Sequence, residues 1–91
     1  MKLHFPNPCR SFDEHKNRIQ FWGYDRAIEI SFYVEAAALK RLCPGTKSVE
    51  KELLKAFDTV REKIYAAAEK IYDRGGGSKG TYAYILAAED F

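Results

Sequence analysis

The hydrophobic side chains of this sequence change their spacing near residue 35. They recur at every second position over residues 18–34 and at every third or fourth position over residues 49–73. The first spacing is typical of strands with one buried face, and the second of a helix with one apolar stripe. Both periods within 91 residues predict an α+β fold in which sheet and helix bury each other's apolar faces.

Residues 18–34 are predicted to form a β-hairpin. Apolar and polar positions alternate in both halves, with β-branched and aromatic residues throughout, which is the pattern of paired strands. The turn is placed near Gly23-Tyr24-Asp25-Arg26. Because no Asn-Gly pair marks the turn, the register of the hairpin stays open.

Two helices are predicted after the hairpin. Residues 35–42 form a short helix that ends at Cys43-Pro44-Gly45, since proline cannot continue the hydrogen-bond ladder. Residues 49–73 form one long helix of roughly 37 Å, which Ser48 caps. Its apolar stripe contains Val49, Leu53, Phe57, Val60, Ile64, Ala67 or Ala68, and Ile71.

The two ends of the chain complete the predicted single domain, residues 1–91. Residues 80–88 alternate again and are predicted to form the final strand. Residues 1–17 are predicted to be irregular because Pro6 and Pro8 disfavour helix there, although Leu3 and Phe5 suit either a short edge strand or docking on the core. The predicted fold is therefore two layers in the order β-β-α-α-β: a three- or four-stranded, mainly antiparallel sheet packed on one long and one short helix.

Composition excludes several classes of protein. Fifteen Lys and Arg against thirteen Asp and Glu give a net charge of +2, too small to indicate a polyanion-binding protein. No apolar run approaches the ~20 residues of a membrane span, and residues 1–8 lack the apolar stretch of a secretory signal. Two cysteines do not make a disulfide framework. The sequence therefore predicts a cytoplasmic protein with no membrane association.

The candidate chemical motifs predict no cofactor-binding or metal site. Residues 75–80, Gly-Gly-Gly-Ser-Lys-Gly, resemble a phosphate loop, but such a loop precedes a helix and this run follows one, so it is interpreted as a helix stop and connector. The soft metal ligands lack the spacing of known sites. They are His4, Cys9, His15 and Cys43.

No catalytic residue is predicted either. Cys43 is expected at a helix C-terminus, where the dipole disfavours a thiolate. Asp58 and Glu62 lie one turn apart and flank Arg61, so they are interpreted as part of a solvated charged face. The absence of a nucleophile–base pair predicts a non-enzymatic protein.

A resemblance to a known family extends over most of the chain. It is carried by Phe5-Pro6, by Ile19-Gln20-Phe21, by residues 28–42, by the helix from Phe57 to Ile71 and by the closing Glu89-Asp90-Phe91. These stretches resemble a small bacterial family of uncharacterised proteins, domain of unknown function 1488. The resemblance implies a compact α+β fold and a bacterial source. The family has no established activity, so it supplies no catalytic residue.

The second face of the predicted sheet is aromatic and has no covering layer. Alternation assigns one set to the helix-covered face: Ile19, Phe21, Ile28, Ile30, Phe32, Ala83 and Ile85. The opposite face then carries four large aromatics, Trp22, Tyr33, Tyr82 and Tyr84, among Gln20, Glu29 and Ser31.

Three interpretations of this aromatic face remain open. The first 17 residues fold over it, a second copy or another protein binds it, or it stacks nucleobases. We predict protein–protein contact or homodimerisation through Trp22, Tyr33, Tyr82 and Tyr84, with single-stranded nucleic-acid binding on the same face as the alternative.

Overall fold

The computed structural model describes residues 3–74 and 83–91. Five strands and three helices follow one another in these residues. They are β1 (Leu3–His4), β2 (Arg10–Asp13), β3 (Arg18–Asp25), β4 (Ile28–Glu35), α1 (Ala36–Leu42), α2 (Glu50–Thr59), α3 (Arg61–Asp73) and β5 (Ala83–Leu86). A 3₁₀ turn, Ala88–Asp90, follows β5.

The hairpin of β3 and β4 forms the centre of the sheet. Its antiparallel register runs from Arg18 opposite Glu35 to Asp25 opposite Ile28. The turn therefore consists of Arg26 and Ala27, not of residues 23–26, and Arg26 has a positive φ of 60°. Gly23 lies inside β3 on the buried face. The neighbouring side chains leave no room there for a Cβ atom, which explains the glycine at this position.

The predicted α+β class, with a mainly antiparallel sheet, is confirmed, but the sheet has five strands within the described ranges, not three or four. The prediction that residues 1–17 are irregular is wrong for β2 and confirmed in its suggestion of a short edge strand at Leu3, because β1 and β2 both pair antiparallel with β3. The two prolines that suggested irregular chain lie between β1 and β2, where they remove no ladder hydrogen bond.

The last strand is parallel to its neighbour. β5 pairs with β4 so that Phe32 lies beside Tyr84 and Val34 beside Leu86. A parallel pair needs a crossover connection, which the three helices supply. The final strand was predicted over residues 80–88, and its described part ends at Leu86. Residues 80–82 and the glycine-rich run 75–80 lie outside the described residues.

The predicted long helix is two helices. α2 ends at Thr59 and α3 begins at Arg61, with Val60 outside helical geometry at φ −111° and ψ 21°. An eight-residue strand is only ~27 Å long, so an unbroken helix would leave part of its stripe beyond the sheet. The break keeps the stripe against the core: Leu53, Phe57, Ile64, Ala68 and Ile71 are buried. Val49, predicted at the start of this stripe, is 52% exposed.

The core lies between the helices and one face of the sheet. Its largest fully buried side chains come from β3, β4, α1, α2, α3 and β5. They are Phe21, Phe32, Phe57, Ile19, Ile30, Leu39, Leu53, Ile64, Leu86 and Val34. In the described part of the chain, no helix is both long and apolar enough to cross a membrane.

Candidate interaction face of the sheet

The side of the sheet opposite the core is called the open face here. Strand alternation and register place thirteen residues on it: His4 of β1; Ser11 and Asp13 of β2; Arg18, Gln20, Trp22 and Tyr24 of β3; Glu29, Ser31, Tyr33 and Glu35 of β4; and Ala83 and Ile85 of β5. The residues of alternate parity in the middle of β3 and β4 are buried on the helix side: Ile19, Phe21, Gly23, Ile30, Phe32 and Val34. The sheet is thus covered on one side by the helices of the described chain.

Two of the four predicted aromatics lie on the open face. Trp22 and Tyr33 are both partly exposed, one on β3 and the other on β4. They lie on adjacent strands but in different rows, since Trp22 pairs with Ser31 and Tyr33 with Gln20. Tyr82 lies outside the described residues.

The prediction for Tyr84 is wrong, because this side chain lies on the helix-covered face. Its ring stacks on Phe32 with the ring centroids 5.5 Å apart and meets Tyr72 of α3 edge-on at 5.7 Å. The parallel register makes Ile85 the neighbour of Tyr33 on the open face, and Ile85 is 51% exposed. The assignment of Ala83 and Ile85 to the helix-covered face is therefore wrong, because the register sets them beside Ser31 and Tyr33 on the open face. The larger bulk of the alternating set, Tyr84 and Leu86, was the signal that this set is buried.

The N-terminal segment does not cover the open face in the described residues. β1 and β2 extend the sheet edge-on, and Phe5 between them turns to the helix side. There the Phe5 ring stacks on Tyr65 of α3, with centroids 4.0 Å apart and planes 6° from parallel. The segment therefore closes the core instead of shielding Trp22 and Tyr33.

Polar groups on the open face pair with one another. The Arg18 guanidinium lies 3.8 Å above the Tyr33 ring and 3.3 Å from the Asp13 carboxylate. Gln20 donates a hydrogen bond of 3.5 Å to Ser31. These contacts engage the Arg18 guanidinium and the Gln20 amide within the face, which lowers the cost of removing water from those two groups.

The Tyr24 hydroxyl marks one end of the open face. It donates a hydrogen bond of 2.7 Å to the Glu29 carboxylate. That hydrogen bond is the largest of the influences that raise the pKa of Tyr24 above its usual value. The phenol therefore stays protonated at neutral pH and continues to donate to Glu29.

The comparisons with known proteins point to one family. The family model described as a protein of unknown function, DUF1488, matches residues 3–85. The chain belongs to the DUF1488 family. The DUF1488 fold is also found in the crystal structure of a protein of unknown function of this family from Shewanella loihica PV-4.

That structure is similar to this DUF1488 chain over almost its whole length. The TM-score is 0.81 at 17% sequence identity, with 94% of this chain and 93% of the other covered. At this identity the likeness shows the fold and nothing about function. No curated protein matches the sequence.

The chemistry-bearing residues outside the open face of this DUF1488 chain do not form a metal site. In residues 3–74 and 83–91, no group of three or more His, Cys, Asp or Glu side chains is placed to hold a metal ion. Cys9 is exposed, and both it and Cys43 are free thiols. Cys43 lies at the C-terminal end of α1 and lines a shallow groove of about 240 Å³ with Thr46, Lys55 and Thr59.

Asp58 holds the N-terminal segment against the helices. Arg10 donates to both of its carboxylate oxygens, at 2.9 and 2.8 Å, and Arg61 donates at 2.6 Å. Arg61 also donates to the Pro8 carbonyl and the Tyr65 hydroxyl oxygen. Asp58, predicted to belong to a solvated charged face, is exposed, and it is also the centre of a network that joins β2, α2 and α3.

This network is expected to make stability depend on acid pH. Partial burial raises the pKa of Asp58, but the hydrogen bonds from Arg10 and Arg61 outweigh it, so the pKa lies below 3.8. The stabilisation is therefore present above that pH and is lost as pH falls through the lowered pKa. Because Asp58 is 43% exposed, we expect Asp58→Asn to cost about 0.5–1 kcal/mol at pH 7.

Urea denaturation at pH 7 and pH 3 measures this effect. The difference in free energy of unfolding between the wild type and Asp58→Asn should be smaller at pH 3 than at pH 7. Glu62→Gln, on the next turn, is the control for removing one helix carboxylate. A difference that stays the same at both pH values would contradict the role assigned to the Asp58 charge.

Proposed function

We propose that the chain is a small, non-enzymatic cytoplasmic protein that associates with a second copy of itself through the open face. The observation that carries this proposal is the contrast between the two sides of the sheet. Helices cover one side, while the other presents Trp22, Tyr33 and Ile85 around an uncharged centre. Free Cys9 and Cys43 support a reducing compartment.

The composition of the open face is that of a protein interface. The centres of such interfaces are enriched in Trp and Tyr and depleted in charge, with polar groups at the rim. Here Gln20, Trp22, Ser31, Tyr33 and Ile85 occupy the middle of the sheet. Charged side chains lie towards the two ends, so the face has a neutral core between charged margins.

The charge balance of the open face favours a protein over a nucleic acid. Among residues 3–74 and 83–91 it carries three carboxylates, Asp13, Glu29 and Glu35, against the single guanidinium of Arg18. That guanidinium is already engaged by Asp13 and the Tyr33 ring. A phosphate backbone needs an excess of positive charge, which these residues do not supply.

Two isoleucines provide a matched test of the proposal. Ile85 lies on the open face and is 51% exposed. Ile28, the first residue of β4, is 50% exposed but alternates with the set that faces the helices, so it does not lie on the open face. We expect Ile85→Asp to raise the dissociation constant of the dimer at least tenfold, because it buries a charge at the interface. Ile28→Asp should leave that constant unchanged.

Sedimentation velocity over a range of concentrations measures the association, and tryptophan emission gives a second readout. Trp22 is the single tryptophan of the chain, so its emission reports directly on burial of the open face. It should shift to shorter wavelength as the wild type associates.

A wild type that stays monomeric up to millimolar concentration, or equal effects of the two substitutions, would refute the proposal. Salt-sensitive binding of a single-stranded oligonucleotide that Trp22→Ala abolishes would favour the nucleic-acid alternative instead.

A further inference from the structure

Residues 3–13, which contain β1 and β2, are called the strap here. The strap is joined to the central hairpin through the turn at residues 14–17. We propose that the strap leaves its place and returns to it as one unit, while the hairpin, the helices and β5 stay folded. This proposal does not depend on self-association.

The strap lies at the outer edge of the sheet. Both of its strands pair with the same edge of β3, because β4 pairs with the other edge. β1 contributes two residues to this pairing and β2 contributes four, whereas β3 and β4 pair over eight residues each. Departure of the strap therefore breaks no pairing among β3, β4 and β5.

The strap supplies little of the buried core. Sixteen hydrophobic side chains of the described chain are buried, and Leu3 is the only one of them in the strap. Phe5 and Phe12 are partly buried against that core. Burial of apolar side chains is the main favourable contribution to folding. The hairpin, the helices and β5 therefore keep most of this contribution when the strap leaves.

Two anchors hold the strap to the helices. The apolar anchor is the Phe5 ring, which stacks on Tyr65 and fills a slot over Gly23, where a Cβ atom would lie 2.9 Å from the ring. The polar anchor is Arg10, which donates two hydrogen bonds to Asp58. The Arg10 and Asp58 side chains are 31% and 43% exposed, so water competes for this ion pair. The Phe5 ring is therefore the stronger of the two anchors.

A short, stiff connection makes the two anchors act together. Pro6 and Pro8 lie between β1 and β2, and each proline ring restricts φ to near −65°. Between the two anchors, the Pro8 carbonyl accepts a hydrogen bond of 2.9 Å from Arg61 of α3. Displacement of Phe5 therefore shifts Arg10 as well, so we expect the strap to open in one step.

The turn between β2 and β3 is the hinge. An Asp13 carboxylate oxygen accepts hydrogen bonds from the backbone amides of His15 and Lys16, at 3.1 and 3.3 Å. At the far end of the turn, the Asn17 carbonyl accepts a hydrogen bond of 3.0 Å from the Ala36 amide, which fixes Asn17 to the start of α1. The strap therefore moves about the exposed residues 14–16, and its opening uncovers the outer edge of β3 and the slot of the Phe5 ring.

Amide hydrogen exchange of the full chain at pH 7, followed by NMR, measures this opening. The β2 amides that donate to β3 should exchange at least about tenfold faster than the slowest β4 amides, each relative to an unstructured chain, because local opening costs less than global unfolding. Phe5→Ala should accelerate exchange of those β2 amides at least about tenfold. Arg10→Ala should accelerate it by a smaller factor, because the ion pair it removes is partly exposed.

Leu42→Ala separates opening of the strap from unfolding of the whole chain. Leu42 belongs to α1 and packs against the core, so its truncation destabilises the chain to the same extent whether the strap is closed or open. We expect exchange in β4 to accelerate at least about tenfold and exchange in β2 to change less than about twofold. Equal acceleration in β2 and β4 would overturn the proposal, because the strap would then open only when the whole chain unfolds.

Discussion

Phe21→Ala is expected to cost about 3–5 kcal/mol of unfolding free energy, a large part of the about 5–15 kcal/mol that holds a typical domain together. The Phe21 side chain is fully buried. Its ring contacts four others, with centroid distances of 5.3 Å to Phe32, 5.4 Å to Phe57, 5.8 Å to Tyr65 and 6.2 Å to Phe5. Its removal leaves a cavity at the point where the sheet, both longer helices and the N-terminal segment meet.

Trp22→Ala is the matched control, because Trp22 is the next residue on the same strand and faces the other way. Urea denaturation at a concentration below the dimer dissociation constant measures both variants as monomers. We expect Trp22→Ala to cost less than about 1 kcal/mol, the scale of cross-strand contacts on an exposed sheet face. Equal losses for the two variants would contradict the assignment of Phe21 and Trp22 to opposite faces.

Gly23→Ala is expected to destabilise the fold by about 1–3 kcal/mol, the usual cost of overpacking a core. A Cβ atom at this position would lie 2.9 Å from Phe5, 3.1 Å from Phe32 and 3.2 Å from Leu3. The neighbours include the Phe5 ring, which is fixed by its stack on Tyr65. One added methyl group therefore pushes the N-terminal segment away from the helices.

A double-mutant cycle with Phe5→Ala tests this cause. Removing the Phe5 ring makes room for the methyl group, so Gly23→Ala should cost less in the Phe5→Ala background, by at least about 0.5 kcal/mol. Gly45→Ala is the control: Gly45 has a φ of 92° and open space around its Cβ position, so its cost comes from the backbone. That cost should be the same with and without Phe5. If the losses in unfolding free energy for Gly23→Ala and Phe5→Ala simply add in the double variant, the Phe5 ring is not what excludes a side chain at position 23.

Much of the fold was predictable because most segments have one apolar face. In β3 and β4, Ile19, Phe21, Ile30 and Phe32 alternate with polar or amphipathic residues, so alternation assigned both faces of the hairpin. The positions of Trp22 and Tyr33 on the open face follow from the same alternation. The break at Val60 was not predictable, because the 3.6-residue period continues through it and the limit on helix length is set by the length of the strands.

The last strand shows where alternation fails. Ala83, Tyr84, Ile85 and Leu86 are apolar or amphipathic at every position, so either set suits burial. The parallel register with β4 decides between them: it sets Tyr84 beside the buried Phe32 and turns Ile85 outwards beside Tyr33. The sequence therefore assigned Tyr84 to the wrong face, and Ala83 and Ile85 as well.

The N-terminal segment required distant partners to acquire its structure. Its local sequence, with Pro6 and Pro8, indicated irregular chain, yet β1 and β2 form because β3 offers them an open edge. Arg10 and Phe5 then hold the segment through Asp58 and Tyr65, residues about 50 to 60 positions away.

Local periodicity by itself therefore determined the α+β class, the central hairpin, the apolar side of each helical segment and the orientation of Trp22 and Tyr33. Tertiary structure alone decided the register of β5, the break at Val60 and the strands at the N-terminus. The physical reason is the range of the interactions. Strand alternation and helical periodicity indicate which side of a segment is buried. Strand register, helix length and edge pairing depend instead on what lies opposite that segment in the folded chain.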